Sequence, residues 1–155
     1  MRKLRRVIFS LVGCLLTLAG CYPAAPHNRA EVTLTFANFR HSVKNGRHFF
    51  MHRRIFHEKN GISAAIKRAR LCVENGHNCL EIPLNYSIPA GGKFIQTGYY
   101  FSTPLATDRI TYTYWLHDQH GYRQKLEKNL TIVAGNVIAI VDSSQQLGHY
   151  MQPTP

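Results

Sequence analysis

The chain has 155 residues, 45% of them apolar and 11% aromatic against 17% charged, a globular balance that excludes a disordered or low-complexity protein and leaves room for one compact domain. Its formal net charge is +11. Four of the cations fall in the first six residues, and the rest of the chain keeps 15 basic against 8 acidic side chains, or +7. Such a surface favours anionic partners, whether lipid headgroups, lipopolysaccharide phosphates or an acidic protein face, whatever the fold beneath it.

Arg2, Lys3, Arg5 and Arg6 lead into an apolar run, 7–18, broken only by Ser10, Gly13 and Thr17. This is the layout of a secretory signal, and it is shorter than the roughly 20 apolar residues of a membrane-spanning helix. The run ends in Leu18-Ala19-Gly20-Cys21. This tetrapeptide resembles the lipobox of bacterial lipoproteins: a leucine, two small residues and a cysteine. The resemblance implies that diacylglycerol is attached to the Cys21 thiol, that residues 1–20 are removed as a signal peptide, and that the freed amine is acylated too. Two or three acyl chains hold a protein on a bilayer stably where one does not. Tyr22, rather than Asp, follows the cysteine, and the enteric sorting rule of the family then implies the outer membrane, with the domain in the periplasm. The resemblance covers the leader alone.

With Pro23 and Pro26 and no apolar periodicity, residues 21–30 read as the lipidated cysteine and a tether. A domain over 31–142 follows. Residues 31–38 alternate, with Val32, Leu34 and Phe36 on one face, and predict the first strand. Asn45-Gly46 marks a turn, and His48 to Phe56 fits either a strand or an amphipathic helical turn. After the break at Asn60-Gly61, Ser63 caps an expected short helix to about Leu71 that buries Ile62, Ile66 and Ala69. Expected strands then follow at 71–74, 79–84, 92–100, 110–117, 123–127, 130–133 and 137–141. In the 110–117 segment, Ile110, Tyr112, Tyr114 and Leu116 share one face. Short strands at this spacing predict a mainly β protein: a small antiparallel β-sandwich, immunoglobulin-like or transthyretin-like, with one short helix. Residues 143–155 read as a loose tail.

Of four cysteines, Cys14 lies in the leader and Cys21 is the lipid site, which leaves Cys72 and Cys79. Between them stands Asn75-Gly76, the strongest two-residue hairpin signal. With that pair as the turn, Cys72 faces Cys79 at about 4.5–5.5 Å between Cα atoms, a span a disulfide bridges. An exported chain retains such a bond.

For chemistry the sequence is sparse. His48 with His52, and His117 with His120, are the histidine pairs worth testing for metal, but neither has the framework of a structural zinc site or the His-Glu-x-x-His of a zinc hydrolase, and no metal or other cofactor is expected. There is no nucleophile elbow and no phosphate-cradling glycine loop, so an enzyme is not expected either. The suggestive feature is charge placement: Arg40, Lys44, Arg47, Arg53, Arg54, Lys59, Lys67, Arg68 and Arg70 crowd one segment, with Phe49, Phe50 and Phe56 interleaved and only Glu58 opposing. This segment is the expected partner-binding region. The reading it supports is an envelope lipoprotein serving as a non-enzymatic assembly or scaffolding factor through protein contacts. Capture of an anionic envelope component such as lipopolysaccharide is the alternative, and an envelope location argues against nucleic acid.

Overall fold

A computed structural model describes residues 28–149; the expected signal segment 1–20, the expected lipid site Cys21, the expected tether residues 22–27 and the last residues, 150–155, lie outside the described residues. The described chain forms strands β1 (Val32–Lys44), β2 (Arg47–Glu58), β3 (Ala64–Val73), β4 (Asn78–Ile88), β5 (Lys93–Thr103), β6 (Asp108–Asp118), β7 (Tyr122–Val133), β8 (Asn136–Asp142) and β9 (Gln145–His149). They make an antiparallel β-sandwich. One sheet has three strands in the order β1-β2-β5; the other runs β4-β3-β6-β7-β8, with β9 also paired to β7.

The core follows from alternation. Val32, Leu34 and Phe36 of β1, Phe50 and Phe56 of β2 and Phe101 of β5 pack against Ile66, Ile110, Tyr112, Tyr114, Leu116, Leu126, Leu130 and Ile132 of the larger sheet. Each such side chain, fully buried, contributes about 1.5–3 kcal/mol. Turn chemistry sets the register. Asn45 and Gly46 sit at φ 50° and 70°, the left-handed values that mirror-image hairpin turns require. Ala134 and Gly135 do the same between β7 and β8, and a Cβ at Gly135 would come within 2.5 Å of the His41 ring.

The cysteine hairpin forms as expected. Cys72 pairs with Cys79 and Val73 with Asn78 across the β3–β4 ladder, and the disulfide joins Cα atoms 4.1 Å apart. The turn residues Asn75 and Gly76 have φ 55° and 91°, and the His77 N–H donates to the Glu74 carbonyl at 3.1 Å.

Three expectations are corrected. The segment from Ser63 to Leu71 is not a helix: it is β3, hydrogen-bonded on both sides, to β4 and β6. A bulge between Ile66 and Arg68 inserts one residue, so the buried Ile62, Ile66 and Ala69 fall at four- and three-residue steps that imitate helical spacing. The expected strands at 123–127 and 130–133 are one strand, β7; Lys128, which pairs with Asp142 of β8, interrupts its apolar pattern. Residues 145–149, expected in a loose tail, form β9 on β7.

The acidic side chains hold this frame together. Glu58 is fully buried and accepts from five backbone N–H groups, those of Glu31, Asn60, Gly61, Ile62 and Gly91, at 2.8–3.2 Å. Burial alone would push its carboxyl upward, but these donors outweigh that and hold it below the usual carboxylate range. Asp118 accepts from the N–H groups of Ala30, His120 and Tyr122, which fixes the buried Ala30 just ahead of β1. Asp108 accepts from Glu74 and Asn75 at 2.9 and 2.7 Å, pinning the cysteine hairpin to β6.

Candidate functional site

Alternation along β2 sends Phe50, His52, Arg54, Phe56 and Glu58 inward, which leaves Phe49, Met51, Arg53, Ile55 and His57 on the outer face of the three-stranded sheet. A bulge at Asn38, φ 57°, re-phases β1 so that Arg40 stands opposite Met51, Ser42 opposite Phe49 and Lys44 opposite Arg47. On the other side β5 places Tyr100 opposite Met51, Ile95 opposite Ile55 and Lys93 opposite His57. The outcome is an apolar centre within a basic rim. Met51 is 46% exposed and its cross-strand neighbour Tyr100 63%, unusual for large apolar groups standing side by side, and Ile95 farther along the face is 41% exposed. The Phe49 and Tyr100 rings lie 6.5 Å apart over a shallow depression of about 520 Å³ that Arg40 and Lys44 border.

The rim has no counter-charge. None of the outward residues of β1, β2 or β5 is acidic, and among the described residues no ion pair reaches Arg40, Lys44, Arg53 or Lys93. Each of the eight acidic side chains is engaged elsewhere: Glu58, Asp108 and Asp118 on backbone, Glu31 with Lys59, Glu81 with Arg68, Glu127 with Lys125, Asp142 with Lys128, and Glu74 with Asn78.

The basic segment expected as one surface is thus divided. Arg40, Lys44, Arg47 and Arg53 share the outer face of the three-stranded sheet, with Arg47 bonded to Ser102 at 3.3 Å. Lys59 sits in the loop after β2, 3.8 Å from Glu31. Lys67, Arg68 and Arg70 belong to the other sheet: Lys67 donates to Asn85 at 2.8 Å, and the Arg68 guanidinium lies 3.8 Å over the Trp115 ring and 3.0 Å from Glu81. Arg70 flanks the same indole at 5.6 Å.

Arg54 is a core residue, only 3% exposed, and is unavailable to a partner. No carboxylate meets it. Its guanidinium lies 3.1 Å from the Tyr99 ring centroid and donates to the Tyr114 hydroxyl, so aromatic faces and phenol oxygens replace water around the cation. Burial pushes the Tyr114 hydroxyl up to about 12 despite that neighbour. Beside it His52 is 1% exposed, with Nδ1 3.4 Å from the Phe50 carbonyl and Nε2 3.3 Å from the Tyr112 hydroxyl. Burial first, and then the charge of Arg54, lowers its pKa to about 4, so the ring is neutral at pH 7.

His48 and His52 share the inward side of β2, as their spacing suggests, but engage different partners. His52 is buried, while His48 meets His41 across the hairpin, Nε2 of His41 to Nδ1 of His48 at 3.0 Å. His120 approaches the Asn28 carbonyl with its Nδ1 at 3.1 Å. Among the described residues there is no group of three or more metal-ligating side chains. The Phe-x-His-x-Arg-x-Phe alternation of β2 carries the signal that Arg54 is buried. The pairing of Met51 with Tyr100 depends on strands far apart in sequence and has no local signal.

No family model and no curated protein matches the sequence. Solved structures do match in fold. A protein of Bordetella pertussis designated ApaA is similar at TM-score 0.50 and 12% identity over 67% of this chain and 94% of that one. The structural-genomics target SoR45 is similar at TM-score 0.53, also with 12% identity, over 84% of this chain and all of that one. At such identity the likeness is one of fold.

Proposed function

We propose that this protein is a lipid-anchored envelope lipoprotein that acts as a non-enzymatic assembly or scaffolding factor, docking an acidic protein partner on the outer face of its three-stranded sheet. One observation carries the docking reading: an exposed apolar centre ringed by cations in a molecule whose acidic groups are all engaged elsewhere. Tyr, Phe, Met and Arg are the residue types that dominate interface cores and hot spots. The lipobox-like Leu18-Ala19-Gly20-Cys21 supports the anchor, and with Tyr22 it supports an outer-membrane lipid anchor with the domain in the periplasm.

Geometry favours a protein over the anchoring bilayer. β1 has 13 residues and starts next to the expected tether, so at about 3.3 Å per residue Arg40 lies roughly 25 Å and Lys44 roughly 40 Å from the tethered end. A face so placed addresses a partner beyond the anchor. The depression is also open and shallow, whereas a lipid-capturing site would enclose acyl chains.

Crosslinking in cells followed by affinity capture of the lipidated protein tests the reading. Wild type should return a single stoichiometric acidic protein, and Arg40→Glu/Lys44→Glu should lose it. Lipopolysaccharide recovered without protein would replace the scaffold by a ligand-binding module. The anchor has its own test: Cys21→Ser should abolish incorporation of radioactive palmitate, and unchanged labelling would refute the lipoprotein reading.

A further inference from the structure

The sandwich has mismatched layers, three strands against six, with β8 and β9 sharing one edge of the larger sheet. β8 is the outermost strand of the larger sheet, hydrogen-bonded to β7 alone, and its inward residues reach past the edge of the smaller sheet. Ile140 sits opposite the fully buried Leu130 yet is itself 44% exposed. Ile138 is 62% exposed and Val141 55%. A groove of about 610 Å³ runs between β8 and the β1 edge, floored by Phe36, Phe39 and Phe50.

Proteins protect bare edges with charge, proline, bulges or a covering group. The β1, β4 and β5 edges follow that rule. β1 carries Arg40 and Lys44, and the Gln124 amide occupies its starting edge, accepting from the Val32 N–H at 2.9 Å and donating to the Val32 carbonyl at 2.8 Å. β4 contains Glu81 and Pro83, and β5 contains Lys93. In β8 the residues 137–141 are Val-Ile-Ala-Ile-Val, with no charge, no polar group and no proline. Its bulge at Ile138 twists the strand but leaves it uniformly apolar. The terminal Asp142 is turned to Lys128.

That five-residue run reads the same in both directions. An antiparallel copy therefore sets apolar against apolar along its length, and no like charges meet. We infer that β8 pairs with β8 of a second copy of this chain about a two-fold axis near Ala139, joining the two larger sheets into one continuous sheet. About that axis Ala139 faces Ala139 of the second copy, Ile138 meets its Ile140 and Val137 its Val141. This interface is isologous, and it lies on a different strand from the docking face, so each copy keeps its own.

The experiment is disulfide trapping in cells with the full chain. Ala139→Cys should give a reducible band of twice the monomer mass after mild oxidation, Ser42→Cys on the opposite sheet should not, and adding Ile138→Lys to Ala139→Cys should abolish the band. Ile138 is exposed, so unchanged protease resistance of Ile138→Lys confirms that the fold survives. No band from Ala139→Cys, or a band that persists with Ile138→Lys, overturns the proposal. If trapping fails in the full chain but appears once residues 150–155 are deleted, the strand's occupant is the chain's own tail and the proposal is equally overturned.

Discussion

The outer faces of the two sheets carry the same kinds of residue and resolve them differently. On the larger sheet Arg68 stacks on Trp115 and pairs with Glu81, and Lys125 meets Glu127 at 2.7 Å. On the smaller sheet Arg40, Lys44, Arg53 and Lys93 surround Met51 and Tyr100 without an acidic neighbour. A basic, aromatic surface thus says little about binding until the acids are placed. Where they are present the surface is internally satisfied; where they have been drawn inward, the cations stand without an acidic neighbour.

The sharpest way to break this contrast is to disturb the inward acids. Glu58→Ala should orphan five backbone donors, one buried and four partly buried, and cost about 3–5 kcal/mol, read as a fall in the urea midpoint; a loss below 1 kcal/mol would show that the staple is dispensable. Next comes the neighbouring pair on β2. Arg54→Ala should cost about 2–4 kcal/mol by opening a cavity among Tyr99, Tyr112 and Tyr114, whereas Arg53→Ala on the outer side should stay within about 0.5 kcal/mol. Equal losses would mean that the strand's two faces are misassigned.

Acid should weaken the same core. The folded pKa of His52 is about 4, against the ordinary 6.5, so below pH 6.5 the unfolded chain binds a proton that the folded chain refuses. The contribution is intact above pH 6.5 and is lost progressively as pH falls toward 4, on the order of 2–3 kcal/mol in all. His117, lowered by burial and by Arg123 and Lys67, adds to the same slope. Replacing His52 by Phe should flatten the stability curve between pH 6.5 and 5, and an unaltered slope would contradict the assignment.

On the surfaces themselves, Arg40→Glu/Lys44→Glu should weaken partner binding at least about tenfold, or about 1.4 kcal/mol, with the melting temperature unmoved. Trp115→Ala should do the reverse, lowering stability by about 1 kcal/mol through loss of the Arg68 stack while leaving partner binding intact.

How far the sequence discloses this structure depends on the range of the interactions. Strand alternation at 32–36 and 110–116, the Asn45-Gly46 turn and the facing cysteines are local, and each is present as read. Bulges are what mislead, because one inserted residue at Lys67 turns a strand's period of two into helical steps. The nine-residue basic segment is contiguous in sequence but spans β1, β2 and β3, and β3 lies in the other sheet, so proximity along the chain became opposition in space. The proposed docking face was legible only in its charge. Its apolar centre needs Tyr100, some fifty residues beyond Met51, and the edge strand β8 declares itself only when the layer beneath it proves too narrow.

The most direct test of the docking claim is a photocrosslinker placed in turn at Tyr100 and at Trp115 in cells making the full chain. Docking on the three-stranded sheet predicts one acidic protein captured from position 100, absent from position 115, and lost when Arg40 and Lys44 are reversed in charge. The same protein captured from both positions, or none from position 100, would contradict it.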